Sequence, residues 1–386
     1  MRGLGILGVA GARRPRDDAA GAGTPFCVYG KGRFMKVGII GFARSGKTTV
    51  FNSLTGARAE VGAFGSREAN LAVLKVPDER IDRLAEIYTP KKITYAEFQF
   101  VDIAPDEAAG EEKALSSAAL TALRQVEALV HVVRAFANEN VMHPLGGVDA
   151  VRDCRSLEEE MQIDDLIIIE RRLERMEKEN KKDRQFELLG QCKAHIEAGK
   201  PLRTLELSAQ EEKEIAGFCF LSRKPLLLLG NYGDEAIGKD DPAGLLAYAA
   251  ETGQTLVELC GAMEMEVSQL PEDERAAFRE ELGLGEESRT RFLKSAYAML
   301  GLISFLTAGE PEVRAWTIRK GTRAQDAAGV IHSDLARGFI RAEVTHYDDF
   351  VKAGSMAKAK EAGHLRLEGK DYIVQDGDIM LIRFNV

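Results

Sequence analysis

The sequence predicts an α/β protein: a doubly wound sheet interrupted by an inserted helical hairpin and followed by a small mixed domain of β-grasp type. Three observations carry this. From Met35, short apolar runs alternate with helical segments, as they do in an open parallel sheet. Between about residues 140 and 205 that alternation gives way to apolar residues at helical spacing. From residue 302 to the end, short strand-like runs are separated by turn residues.

The 386 residues leave room for two or three domains. Hydrophobic residues make up 45% and charged residues 29%, an ordinary globular balance. A net charge of −9 argues against a basic surface made for indiscriminate nucleic-acid binding. The five cysteines (Cys27, Cys154, Cys192, Cys219, Cys260) show no paired spacing, which fits reduced thiols in the cytoplasm. No apolar run approaches the roughly 18 residues of a membrane span, so no membrane is expected as a partner. Residues 1–34 read as a disordered extension, with Met35 opening the fold.

In chain order, "KVGII" is a β-branched strand and "KTTVFNSLTG" a helix closed by Gly56. "NLAVLKV" and "EFQFVDI" are strands, and "ALVHVVRAF" is apolar enough for the centre of a parallel sheet. Leu157, Met161, Ile168, Ile169, Leu173 and Met176 recur at helical spacing, as do Phe186, Leu189, Cys192 and Ile196, with "KENKKDR" between them. An antiparallel helical hairpin is the economical reading. The sheet pattern resumes with "KPLLLLGN" and "TLVELC". In the last segment "VRAWTIR", "GFIRAEVT", "HLRLEG", "DYIV" and "IMLIRF" read as strands, with helices at Ala324 to Ile331 and near Tyr347 to Ala362.

"GFARSGKT", Gly41 to Thr48, matches the phosphate-binding loop G-x-x-x-x-G-K-[ST] between a predicted strand and helix. Its glycines let backbone N–H groups curl around phosphates, and the helix N-terminus adds partial positive charge. Lys47 is expected to reach the β- and γ-phosphates, and Thr48 to ligate Mg²⁺. Asp102, ending the strand "EFQFV", is the natural acidic residue for the Mg²⁺ water shell. "NYGD", Asn231 to Asp234, stands where guanine-specific proteins carry Asn-Lys-x-Asp: Asn231 supports the base and the loop, and Asp234 takes guanine's N1–N2 edge. Tyr232 replaces the lysine and could stack on the base instead. Because an Asp-x-x-Gly glycine would offer an N–H to the terminal phosphate, Pro105 in "DIAP" removes that donor.

On these residues, and on "VPDERIDRLAEIYTPKK", "EVRAWTIRKGT", "RGFIRAEV", "LEGKDYIVQDGDIM" and "RFNV", the chain from Met35 to Val386 resembles the Obg-like ATPases, the YchF group of P-loop proteins. The resemblance implies a G domain over residues 35–140 and 205–300, a helical coiled-coil insertion over 141–204 and a TGS β-grasp domain over 302–386. It also implies ATP preferred over GTP, slow hydrolysis, and association with ribosomes through the large subunit. The family's phosphate loop falls on Arg44, Ser45, Gly46, Lys47, Thr48 and Thr49, and its Mg²⁺ ligands fall on Thr48 and Ser66. Its base-contacting segment falls on Asn231 to Asp234, with a backbone contact at Tyr232.

The chain departs from the family at two places. The family usually ends the base motif in Glu, and Asp234 moves it toward the guanine-reading form. "PDEAAGEEK" replaces the longer segment that normally follows D-I-A-G, with Asp106 after Pro105 and no catalytic base to name. A nucleotide-holding module without switching and a GTP-preferring hydrolase therefore stand as alternatives. A metabolic kinase ranks third, since no acceptor-substrate lid is evident. "RRLERMEKENKKDR" carries seven basic and four acidic residues, and "VRAWTIRKGTR" four basic and none acidic. Each is either a solvated face or a contact to ribosomal RNA phosphates. No specific DNA site is indicated, and His332, His346 and His364 read as packing or surface residues.

Overall fold

The computed structural model describes residues 35–55, 70–102, 114–236, 239–281 and 288–385. The chain runs β1 (Lys36–Ile40), α1 (Lys47–Thr55), β2 (Asn70–Val76), α2 (Glu79–Tyr88), β3 (Ile93–Thr94), β4 (Ala96–Asp102), α3 (Ser117–Leu123) and β5 (Ala128–Ala135). It continues through α4 (Ala150–Lys178), α5 (Arg184–Glu197), α6 (Ala209–Ile215), β6 (Leu226–Tyr232), α7 (Leu245–Thr252), β7 (Thr255–Leu259), α8 (Gly261–Gln269), α9 (Glu272–Glu281) and α10 (Ser288–Met299).

Six strands form a sheet in the order β2-β4-β1-β5-β6-β7. Its central strands are largely apolar along their length because both faces are covered. Val130 and Val132 of β5 pack with Val50 and Phe51 of α1 on one face. On the other face Leu129 packs with Leu157 and Met161, and Val133 with Cys154, all from α4. The edge strand β2 departs from the parallel pattern and runs antiparallel to β4. Helix α2 packs on the second sheet instead of crossing the first, so the chain returns beside β2 in the opposite direction.

Helix α4 starts at Asp149, whose side chain accepts from the Arg152 N–H, and α5 starts at Asp183, which accepts from that of Phe186. Only the second half of α4 belongs to the hairpin. Ile169 and Met176 pack with Leu188, Leu189, Cys192 and Ile196, whereas Leu157 and Met161, expected in the same run, cover the sheet. One 29-residue helix thus serves both the nucleotide domain and the arm.

The C-terminal elements are β8 (Leu302–Ala308), β9 (Val313–Arg319), α11 (Ala324–Ile331), α12 (Ser333–Arg337), β10 (Phe339–His346), α13 (Tyr347–Ala353), α14 (Met356–Glu361), β11 (Arg366–Glu368) and β12 (Asp378–Phe384). They build a second sheet in the order β11-β10-β12-β8-β9-β3. Three features differ from the sequence reading. "LISFLTA" forms a further strand, β8, ahead of those expected from the sequence. "DYIV" is no strand: it makes one bridge, Ile373 to Arg323, while the Tyr372 hydroxyl donates to Asp378. The helix expected near 347–362 breaks at Gly354, which takes φ +75° and allows Ser355 to cap α14. Short β3 joins this second sheet beside β9, so a segment of the nucleotide domain completes the C-terminal domain.

Candidate nucleotide-binding site

The phosphate loop joins β1 to α1 at the C-terminal end of the parallel strands, where open α/β sheets bind ligands. Two of its glycines are required sterically. Gly41 has φ +144°, and a Cβ there would lie 2.4 Å from the Val132 carbonyl oxygen. Gly46 has φ +90°, and its Cβ would lie 2.3 Å from Asn231 Nδ2. Arg44 also takes a left-handed φ, +62°, which turns the loop outward between them.

Lys47 Nζ donates to the Gly41 and Phe42 carbonyls, each at 2.8 Å, so the ammonium lies across the mouth of its own loop. Burial pushes it down to about 8, against the opposing pull of Asp102. Asp102 is 3% exposed, and burial raises its carboxyl while Lys47 opposes that rise. Its Oδ2 accepts from Thr48 Oγ1 and from Asn70 Nδ2, both at 3.4 Å. Ser45 is buried, and Thr49 follows Thr48 in the first turn of α1.

Asn231, the second-last residue of β6, connects three segments. Its Nδ2 donates to the Ser45 carbonyl and its Oδ1 accepts from the Gly261 N–H, both at 3.0 Å. Gly261 was missed in the sequence; a glycine and an alanine directly after a strand were the only signal. Tyr232 corrects an expectation: its ring is buried with Val133, Leu245 and Tyr248 and cannot stack on a base. Strand alternation sends its side chain into the core, leaving its backbone at the strand end. Asp234 is exposed, and its carboxylate accepts from the Glu235 N–H at 3.0 Å. Ser66, Pro105 and Asp106 lie outside the described residues.

Behind the loop, residues 141–143 form a second wall that the sequence reading did not find. Arg44 Nη1 donates to the Met142 carbonyl at 3.3 Å, and the His143 ring stands 6.2 Å from that of Phe42. His143 Nδ1 accepts from the Leu145 N–H, and Nε2 lies 2.9 Å from Asp153 Oδ2. On β5, His131 is buried with no hydrogen-bond partner for either ring nitrogen among the described residues, and burial pushes it down to about 3.

The comparisons agree with this geometry. Residues 36–186 match a family model described as a 50S ribosome-binding GTPase. Residues 302–385 match the YchF GTPase C-terminal model, described as a protein of unknown function. The chain is 39% identical to the ribosome-binding ATPase YchF of Bacillus subtilis over 364 residues, covering 91% of this chain and all of that protein. It is 36% identical to Obg-like ATPase 1 of Oryza sativa over 387 residues, 96% of this chain and 97% of the relative. The solved structure of the Schizosaccharomyces pombe YchF GTPase superposes with a TM-score of 0.79 at 28% identity, covering 93% of this chain and 100% of that one. A phosphate loop held by an asparagine from a distant strand, an inserted helical arm and a β-grasp end, together with relatives matched along nearly their whole length, place this chain in the YchF family of P-loop NTPases.

Proposed function

We propose that this chain binds ATP or GTP in the loop Gly41–Thr48 and hydrolyses it slowly, ATP ahead of GTP, while associating with ribosomes in the cytoplasm. The observation that carries the nucleotide reading is the Asn231 bridge, which ties the phosphate loop to the strand ends that would face a base. Lys47 supplies charge to the phosphates, α1 presents its N-terminal N–H groups, and Ser45 and Thr49 flank them. The base lies against the backbone at Tyr232 and beside Asp234. The ribosome enters through relatives named ribosome-binding ATPases. The domain limits 35–140 with 205–300, 141–204 and 302–386 are part of the same proposal.

Magnesium suits the residues present. Thr48 and Asp102 offer hard oxygen donors side by side, 3.4 Å apart, at the phosphate loop. Among the described residues no group of three or more His, Cys, Asp or Glu could hold a metal, and a P-loop site needs none, because phosphates and waters fill most positions. Thr48 and Ser66 would ligate the ion directly and Asp102 through water. Bound there, it neutralises phosphate charge.

The large subunit and its RNA are the partners proposed for the two basic clusters. Several of their cations already face carboxylates: Arg175 with Glu179, Arg184 with Glu211, and Arg314 with Glu312. Arg314 also stacks over Trp316 at 3.9 Å, an aromatic-cation pair suited to RNA. Among the described residues no helix is long and apolar enough to cross a membrane.

A second reading, nucleotide holding without switching, is favoured by Pro105 alone. Restoring the N–H with Pro105→Gly then raises the affinity ratio of ATP analogue to ADP. The deciding experiment is calorimetry with ATP, GTP, ADP and GDP on the unmodified protein and on Lys47→Ala. Loss of a charge-assisted contact costs roughly 2–4 kcal/mol. Unchanged binding by Lys47→Ala would sink the phosphate-loop assignment.

A further inference from the structure

Arg134, near the C-terminal end of β5, carries its guanidinium into the protein and is 1% exposed. Its Nε donates to the Phe136 carbonyl at 3.1 Å and its Nη2 to the Val141 carbonyl at 2.8 Å. The Phe136 ring lies 4.7 Å below the guanidinium, and Nη1 is buried with no hydrogen-bond partner among the described residues. Among the described residues no carboxylate lies within ion-pair distance of Arg134. The acidic group that acts on it, Asp153, is already engaged by His143 and by Arg152 Nη2 at 2.7 Å. Burial lowers the guanidinium pKa, and repulsion from Arg44 on the phosphate loop adds to that.

A cation buried among carbonyl dipoles without a counter-ion is costly to the fold. Such a feature persists where an absent anion completes it. The position of Arg134 identifies that anion. Val141, which it holds, precedes Met142, whose carbonyl takes Arg44 of the phosphate loop. Arg134 also stands in register with Asn231 of β6, whose Nδ2 holds the Ser45 carbonyl of the phosphate loop, so the anion-accepting element these contacts lead to is that loop.

We propose that Arg134 is a specificity-determining residue of the nucleotide site, a buried cation whose counter-charge is the bound polyphosphate and which favours tri- over diphosphate through that charge. It acts through the field across a partly desolvated site and needs no direct contact. This gives the protein a phosphate-charge sensor independent of the N–H that Pro105 lacks. The inference rests on the nucleotide reading of the phosphate loop.

The test is calorimetry of a non-hydrolysable ATP analogue and of ADP, with Mg²⁺, on unmodified protein, Arg134→Gln and Arg134→Lys. One unit of phosphate charge across such a site changes affinity by roughly three- to tenfold. Arg134→Gln, neutral but still a donor, is expected to lower the analogue-to-ADP affinity ratio by about that factor. Arg134→Lys, charged but without the fork, is expected to keep the ratio near that of unmodified protein. A Gln variant that weakens both nucleotides equally assigns Arg134 a purely structural role and overturns the proposal. So does a Lys variant with a collapsed ratio, a result readable even if the Gln variant does not fold. Failure of the unmodified protein to bind either nucleotide would instead overturn the phosphate-loop reading itself.

Discussion

Arg80 and Asp376, 296 residues apart in sequence, form an ion pair at 2.8 Å between α2 and the turn before β12. Arg80 also donates from Nε to Asp78, the residue that caps its own helix, and Asp376 accepts from the Ser304 N–H at 2.9 Å. The segment "PDERIDRL" is therefore a latch between the nucleotide domain and the C-terminal sheet, reinforced by β3 beside β9. Apolar packing continues across the same boundary, where Ile81, Leu84, Val313, Phe350 and Ile379 share one core. Since Asp376 is half exposed, Arg80→Ala is expected to cost only about 1–2 kcal/mol, read as a lower urea midpoint. A variant with an unchanged midpoint would show that apolar packing alone holds the domains.

Asn231→Ala removes two buried hydrogen bonds and leaves the Ser45 carbonyl and the Gly261 N–H unpaired. The expected loss is about 2–4 kcal/mol of stability, with nucleotide affinity falling at least tenfold as the loop loosens. Thermal unfolding with and without nucleotide measures both. Affinity that stays constant while stability falls would place the bridge outside nucleotide binding.

Asp234 is exposed and free to turn toward a base. If it reads guanine's two donors, Asp234→Ala lowers GTP affinity more than ATP affinity, because adenine lacks that pair. Equal losses for both nucleotides would remove it from base selection. GTP bound at least tenfold tighter than ATP by unmodified protein would reverse the proposed preference.

At the root of the arm, Asp165 accepts from the Leu221 N–H, the Ser222 N–H and the Ser222 hydroxyl, all within 2.8 Å. Burial still pushes its carboxyl up to about 6. A carboxyl raised on folding stabilises the fold when protonated. That contribution is complete below the unfolded value of about 3.9 and fades as pH rises through about 6. Unmodified protein should therefore lose about 1 kcal/mol relative to Asp165→Asn between roughly pH 5 and pH 7. Urea midpoints at the two pH values check this, and a parallel response would mean that Asp165 folds already ionised.

If the clusters spanning Arg171 to Arg184 and Arg314 to Arg323 neutralise RNA phosphates, ribosome binding falls steeply with salt. Four phosphate contacts would cost roughly fiftyfold or more between about 50 and about 200 mM. Co-sedimentation absent even at low salt defeats the ribosome proposal, and a flat salt response removes the RNA contact.

Local physics made much of this protein legible. The phosphate loop needs glycines at fixed offsets and a lysine and threonine at a helix start, so Gly41 to Thr48 announce themselves. Buried parallel strands need predominantly apolar runs, and β5 and β6 show them. Helical spacing displayed the arm, although it could not tell that Leu157 and Met161 face a sheet and Ile169 faces α5. Tertiary structure decided what depends on distant partners: the single asparagine joining Ser45 to Gly261, the core that claims the Tyr232 ring, and the strand that β3 lends to the C-terminal sheet. It also decided the state of Arg134, which in sequence is one charge at the end of an apolar run. Only the fold reveals that the charge is buried and, among the described residues, lacks a carboxylate at ion-pair distance, because a counter-ion's place is a property of space and not of order along the chain.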